Sequence, residues 1–204
     1  MSISVIIWDL GGVLVRTEDP APREALAEQL RVPRSALEEA VFSGDSGGRA
    51  QRGEIRVEEH WQNLRRMFEL DDQGMQEFRA LFWGGDQVDE TLIEYIRSLR
   101  EEYKIGLLSN AFSDLRNYVT SIWKIADVFD DLLISAEVGL VKPDPEIYQL
   151  ALQRLAVPAD QAVFIDDIPA NVEGARRVGL HAICFNNPAQ ARAELESLID
   201  GSKR

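Results

Sequence analysis

Five short apolar runs punctuate the chain: SVIIW at 4–8, KIGLL at 104–108, DLLIS at 131–135, AVFI at 162–165 and HAICF at 181–185. Short unbroken runs rich in Val, Ile and Leu fit strands that are covered on both faces. Helical periodicity lies between several of them. Ile147, Leu150, Ala151 and Leu155 fall on one face, behind Asp144 as an N-cap and Pro145 at the first helical position. Val172, Ala175 and Val178 share a second face, which stops at Gly179, and Asn187 and Pro188 open a third helix in the same way. Strands alternating with helices of this length predict a parallel sheet with helical crossovers, an α/β fold.

One stretch breaks the alternation. From Asp19 to Gln87 no segment has a strand pattern. Helical patterns occupy 22–32, 34–42, 57–68 and 75–83, and SGDSGGRAQRGE at 43–54 reads as a polar, glycine-rich loop. An all-helical insertion is therefore expected between the first strand and the rest of the sheet.

The composition is that of a soluble globular protein, with 45% hydrophobic and 28% charged residues in 204. A net charge of −13 repels phosphate backbones, so nucleic-acid binding is not expected. Any phosphate site must then be built locally. Two histidines, His60 and His181, and one cysteine, Cys184, argue against a zinc-type centre, so a metal would take oxygen ligands. Cys184 lies between apolar residues and is expected to be a small buried hydrophobe. SISVIIW is too short for a signal peptide or a membrane span, and a cytoplasmic protein is expected.

Ligands of open parallel sheets bind beyond the carboxyl ends of the strands. After VIIW comes Asp9; after IGLL come Ser109 and Asn110; past LLIS and a short loop comes Lys142; after AVFI come Asp166 and Asp167. A carboxylate, a hydroxyl, an ammonium and a carboxylate pair on neighbouring strands form one candidate site.

These four clusters resemble the four motifs of the haloacid dehalogenase-like hydrolase superfamily: WDLGGVLV, LLSNA, GLVKPDPEIY and FIDDIPANVEGARRVGL. The resemblance spans essentially the whole chain. It implies a three-layer Rossmann-like core, residues 1–17 and 88–204, with residues 18–87 as an all-helical cap. It implies Asp9 as the nucleophile on phosphorus, and Mg²⁺ held by Asp9, the Gly11 carbonyl and Asp167. It also implies phosphate binding by Ser109, Lys142 and backbone groups near Asn110 and Leu10, with Asp166 and Asn171 in support. A cation that neutralises phosphate makes a carboxylate a usable nucleophile. The expected partner is a small phosphate ester, possible sugar phosphates included, hydrolysed with Mg²⁺.

The family's usual second aspartate, two residues after the nucleophile, is Gly11 here. General acid–base help of that kind is worth about 10²–10⁴-fold. A working phosphatase would then favour good leaving groups, or draw its proton from the cap, where Glu18, Asp45 and His60 are candidates. The alternatives are a metal-independent haloacid dehalogenase and a non-catalytic protein that binds phosphate and Mg²⁺. The 43–54 loop is expected to face the site. Arg49 and Arg52 are expected to be solvated, though within reach of a substrate, and Trp61 and Trp83 to pack in the cap.

Overall fold

The computed structural model describes residues 2–202. All five apolar runs form strands: β1 (Val5–Trp8), β4 (Lys104–Ser109), β5 (Asp131–Ile134), β6 (Ala162–Asp166) and β7 (His181–Cys184). They make one parallel sheet in the order β5-β4-β1-β6-β7. β1 is central, and every residue in it is buried. Its side chains alternate between two cores. Ile6 and Trp8 join Leu107, Ile165 and the helices Glu90–Leu99 and Pro188–Ser202 on one face. Val5 and Ile7 join Leu108, Phe164 and the helices Pro145–Leu155 and Pro169–Arg177 on the other. The result is the three-layer α/β arrangement that the sequence predicts. Gly106 lies opposite Ile7, and a side chain there would press on Leu155.

The chain leaves β1 toward β4 on one side and β6 toward β7 on the other. The connections therefore diverge at the carboxyl ends of β1 and β6, the usual position of a ligand crevice. Asp9 follows the end of β1, and Asp166 ends β6 with Asp167 directly after it.

The helical stretch runs from Ala21 to Trp83 and carries its own apolar cluster, including Leu37, Val41, Trp61, Leu64, Phe78 and Phe82. Its entry and exit are joined by a feature the sequence pattern does not show. β2 (Val15–Thr17) and β3 (Asp86–Val88) pair antiparallel, so Asp86–Val88 is a strand where none was expected. Three residues, two half-buried around an exposed Gln87, are too few to show a period. The buried Arg23 guanidinium locks this crossing: it donates to both Asp86 carboxylate oxygens at 3.0 Å, to the Phe82 carbonyl at 3.0 Å and to Glu38 at 3.1 Å.

The expected 43–54 loop contains a helix, Asp45–Gln51. Glycine here serves close packing: a Cβ on Gly47 would run into the Val41 carbonyl oxygen. Asp144 precedes its helix as expected, but its side chain makes no capping bond, whereas Asn187 accepts from the Gln190 N–H at 3.0 Å. Among the described residues no helix is long and apolar enough to cross a membrane.

Candidate active site

Asp9 continues β1 by donating its N–H to the Ile165 carbonyl at 2.9 Å. Its side chain is buried and receives two donors on Oδ1: the Leu10 N–H and the Lys142 ammonium, each at 2.7 Å. Lys142 is buried too. Its remaining donors go to Asp166 Oδ2 at 2.7 Å and the Leu108 carbonyl at 3.1 Å. Burial alone would lower the lysine pKa, but the two carboxylates outweigh it and hold the ammonium charged. Burial and the neighbouring Asp166 charge push the Asp9 carboxyl up, against the pull of Lys142.

The adjacent acids Asp166 and Asp167 have different surroundings. Asp166 is fully buried and fully bonded: it accepts from Lys142, from the Ile168 N–H at 2.8 Å, and from Asn171 Nδ2 at 3.1 Å to each oxygen. Asn171 is buried rather than on the helix surface, and its carbonyl accepts from the Tyr148 hydroxyl at 2.8 Å. Asp167 has a buried Oδ1 with no hydrogen-bond partner among the described residues, and burial followed by the Asp166 charge pushes its carboxyl up. Asp9, Asp166 and Asp167 bring carboxylate oxygens within 4.8 Å of one another. Gly12, at φ +79°, passes so close that any Cβ would collide with the Asp167 carboxylate. Gly11 is exposed, and a Cβ there meets nothing within 4 Å.

Ser109 ends β4 and is 3% exposed; its hydroxyl has no hydrogen bond among the described residues. Asn110 is not aimed outward. Its side chain clasps the Lys142 backbone, accepting from the N–H and donating to the carbonyl, both at 2.8 Å. The next residue is held in the same way: Ser135 Oγ accepts from the Ala111 N–H at 2.9 Å and donates to the Ala111 carbonyl at 3.2 Å. The motifs do not single out Ser135, although it stands at the end of DLLIS, in the same strand-end position as Ser109.

Residues in the insertion take other places. His60 is fully buried, with Nδ1 2.9 Å from Ser46 Oγ, and burial pushes its pKa down to about 4. The Asp45 side chain is 89% exposed, and Glu18 pairs with Arg16 at 3.0 Å. Arg49 and Arg52 both face Glu54, at 3.6 and 2.6 Å. Trp61 is buried in the insertion's cluster, with Trp83 half-buried against it. Cys184 is half-buried and free.

Known proteins resemble this chain in sequence and in fold. The chain is 30% identical over 210 residues to acyl-CoA dehydrogenase family member 10 of Mus musculus. That match covers 97% of this chain but only 19% of the relative's length. It is 27% identical over 219 residues to a phosphatase of Mycobacterium tuberculosis, with 99% of each chain covered. Among solved structures, a haloacid dehalogenase family enzyme of Bacteroides thetaiotaomicron, crystallised with magnesium and inorganic phosphate, superposes with a TM-score of 0.76. Its identity is 22%, over 90% of this chain and 94% of that one. The haloacid dehalogenase-like hydrolase family model matches residues 3–179, across the carboxyl ends of β1, β4, β5 and β6, and the chain belongs to that family.

Proposed function

We propose that the protein is a Mg²⁺-dependent phosphomonoesterase that acts on small phosphorylated metabolites through an aspartyl-phosphate on Asp9. The observation that carries this reading is the buried, charge-paired Asp9–Lys142–Asp166 chain beside the partnerless Asp167 oxygen. Residues 1–17 and 88–204 act as the catalytic core and 18–87 as its cap.

The donor set fits a hard cation. Asp9, Asp167 and the Gly11 carbonyl would supply oxygen ligands, and burial together with the Asp166 charge pushes both carboxyls up, a cost that a cation would relieve. When bound, Mg²⁺ neutralises phosphate charge and polarises the phosphorus. The chain's own groups do the rest. Lys142 holds Asp9 Oδ1 in place and pulls its pKa back down against burial. Asp166 fixes the lysine, and Asn171 fixes Asp166. The free Ser109 hydroxyl donates to a phosphate oxygen. Asn110 contributes by setting the Lys142 backbone, while the Leu10 N–H already serves Asp9.

No side-chain acid stands at position 11, so the leaving oxygen departs with little protonation. Substrates with good leaving groups, such as acyl or anomeric phosphates, are favoured. The resemblance in sequence to a phosphatase over nearly the whole of both chains supports the reaction class. The test is phosphate release from p-nitrophenyl phosphate, acetyl phosphate and a panel of sugar phosphates, with and without Mg²⁺, in the wild type and Asp9→Asn. Release that needs both Mg²⁺ and Asp9 is expected. Phosphate and Mg²⁺ binding without release anywhere on the panel would identify a binding protein instead.

A further inference from the structure

The loop after β4 is held at successive residues by different parts of the molecule. Asn110 is clasped by the Lys142 backbone and Ala111 by Ser135, both on the sheet side. Phe112 turns the other way. Its ring is buried, and it belongs to the apolar cluster of the helical insertion, not to either core of the sheet. It sits 5.0 Å from the His60 ring and 5.9 Å, edge-on, from Trp61, both on the helix Val57–Met67. Arg79 covers the Trp61 ring at 4.9 Å. The segment that begins with Ser109 is thus gripped at one end by the Lys142 loop and at the other by the insertion. A second contact fixes the same closed relation: Gly53, at φ +67°, lies so close to the Ala136 carbonyl that a Cβ would collide with it.

We propose that Phe112 is a positioning residue that couples docking of the helical insertion to the placement of Ser109 and Asn110. The insertion cannot separate from the sheet without drawing Phe112 out of its aromatic box or dragging the Ser109 loop with it. The phosphate site is therefore fully assembled only when the insertion is docked, and ligand binding and docking favour one another by linkage. The coupling deepens the phosphatase reading, since it assigns Ser109 to the phosphate site.

The experiment compares Phe112→Leu with Phe78→Leu. Phe78 is buried in the same cluster, against Phe68 and Phe82, and serves as the control. Amide exchange over 109–112, thermal unfolding, and kcat and KM for p-nitrophenyl phosphate are measured for both. A misplacement of 1 Å in a positioned group costs up to about 10²-fold. Phe112→Leu is expected to speed loop exchange and lower kcat by about tenfold or more, with a smaller change in KM. Phe78→Leu is expected to leave exchange and kcat within about twofold while still lowering the melting temperature. The proposal is overturned if the two variants change loop exchange and kcat alike, or if Phe112→Leu changes neither. Exchange does not depend on turnover. Faster loop exchange in Phe112→Leu alone, in a protein that releases no phosphate, would uphold the coupling and sink the phosphatase reading.

Discussion

Two neighbouring glycines have opposite reasons for being there. Gly12 is required by shape: its φ of +79° and the Asp167 carboxylate leave no room for a side chain. Gly11 is not, since a Cβ there meets only open space. The absence of an acid at position 11 is thus a chemical choice and not a steric one. Gly11→Asp is expected to fold and to keep its backbone carbonyl in place. It should raise kcat/KM for alkyl phosphates by about 10²-fold, the lower end of what general acid–base help supplies, and change p-nitrophenyl phosphate much less. Steady-state kinetics on the two substrate types check it. Intact Mg²⁺ binding with no gain on alkyl phosphates would mean that proton transfer does not limit the reaction. Gly12→Ala should instead lose Mg²⁺-dependent activity, because Asp167 must move.

The helix Asp45–Gln51 poses the same contrast at the scale of an element. Gly47 is buried against the Val41 carbonyl, whereas the nearest atom to a Cβ on Gly48 is Arg52 Nη1 at an ordinary 3.6 Å. Alanine is the better helix former by up to about 1 kcal/mol. Gly48→Ala should therefore stabilise the protein by about 0.5–1 kcal/mol. Gly47→Ala should destabilise it by about 1–3 kcal/mol through overpacking. Urea unfolding of both variants reads the two signs, and equal signs would mean that the close approach is not the reason for Gly47. The pair also explains why this helix is hidden in the sequence. Glycine and serine signal a loop by propensity, and the packing that overrides propensity comes from Val41 and Phe42, in the segment just before. The sheet had the opposite character. Parallel strands buried on both faces must be continuous apolar runs, so all five were legible, with Asp9, Ser109 and the Asp166–Asp167 pair at their ends. The division of labour within the site was less legible. The family resemblance separates Asp167 from Asp166 but the residue pattern does not, and the three-dimensional supply of donors is what makes Asp166 a lysine anchor and leaves Asp167 open. Asn110 and Ser135 act on backbone atoms distant in sequence, which no local pattern records.

At the scale of the molecule, His60 lies where the insertion's cluster receives Phe112 from the sheet side. It is fully buried and neutral, with its pKa pushed down from 6.5 to about 4 by burial. The unfolded chain therefore binds a proton that the folded one refuses. Stability from this group is fully present above pH 6.5 and is lost as pH falls toward 4. The loss amounts to about 1.4 kcal/mol per pH unit at its steepest and roughly 3 kcal/mol in all. The raised Asp9 and Asp167 carboxyls act with the opposite sign, because their protonated forms are preferred in the fold. The lowered Glu38 and Asp89 carboxyls lose their contribution as pH falls through values below 4.5 and 3.8, beneath most of this window. A comparison with His60→Phe cancels these shared terms. The variant leaves Ser46 without its partner, a pH-independent offset. Urea unfolding at steps between pH 7 and pH 4.5 should show the wild type losing stability relative to His60→Phe by close to one proton's slope. Parallel curves would mean that His60 meets water before the fold opens. Because His60 touches Phe112, acid should first loosen the junction between insertion and sheet. Trp61 fluorescence, which reports that junction, should then change at a higher pH than the circular dichroism of the sheet core.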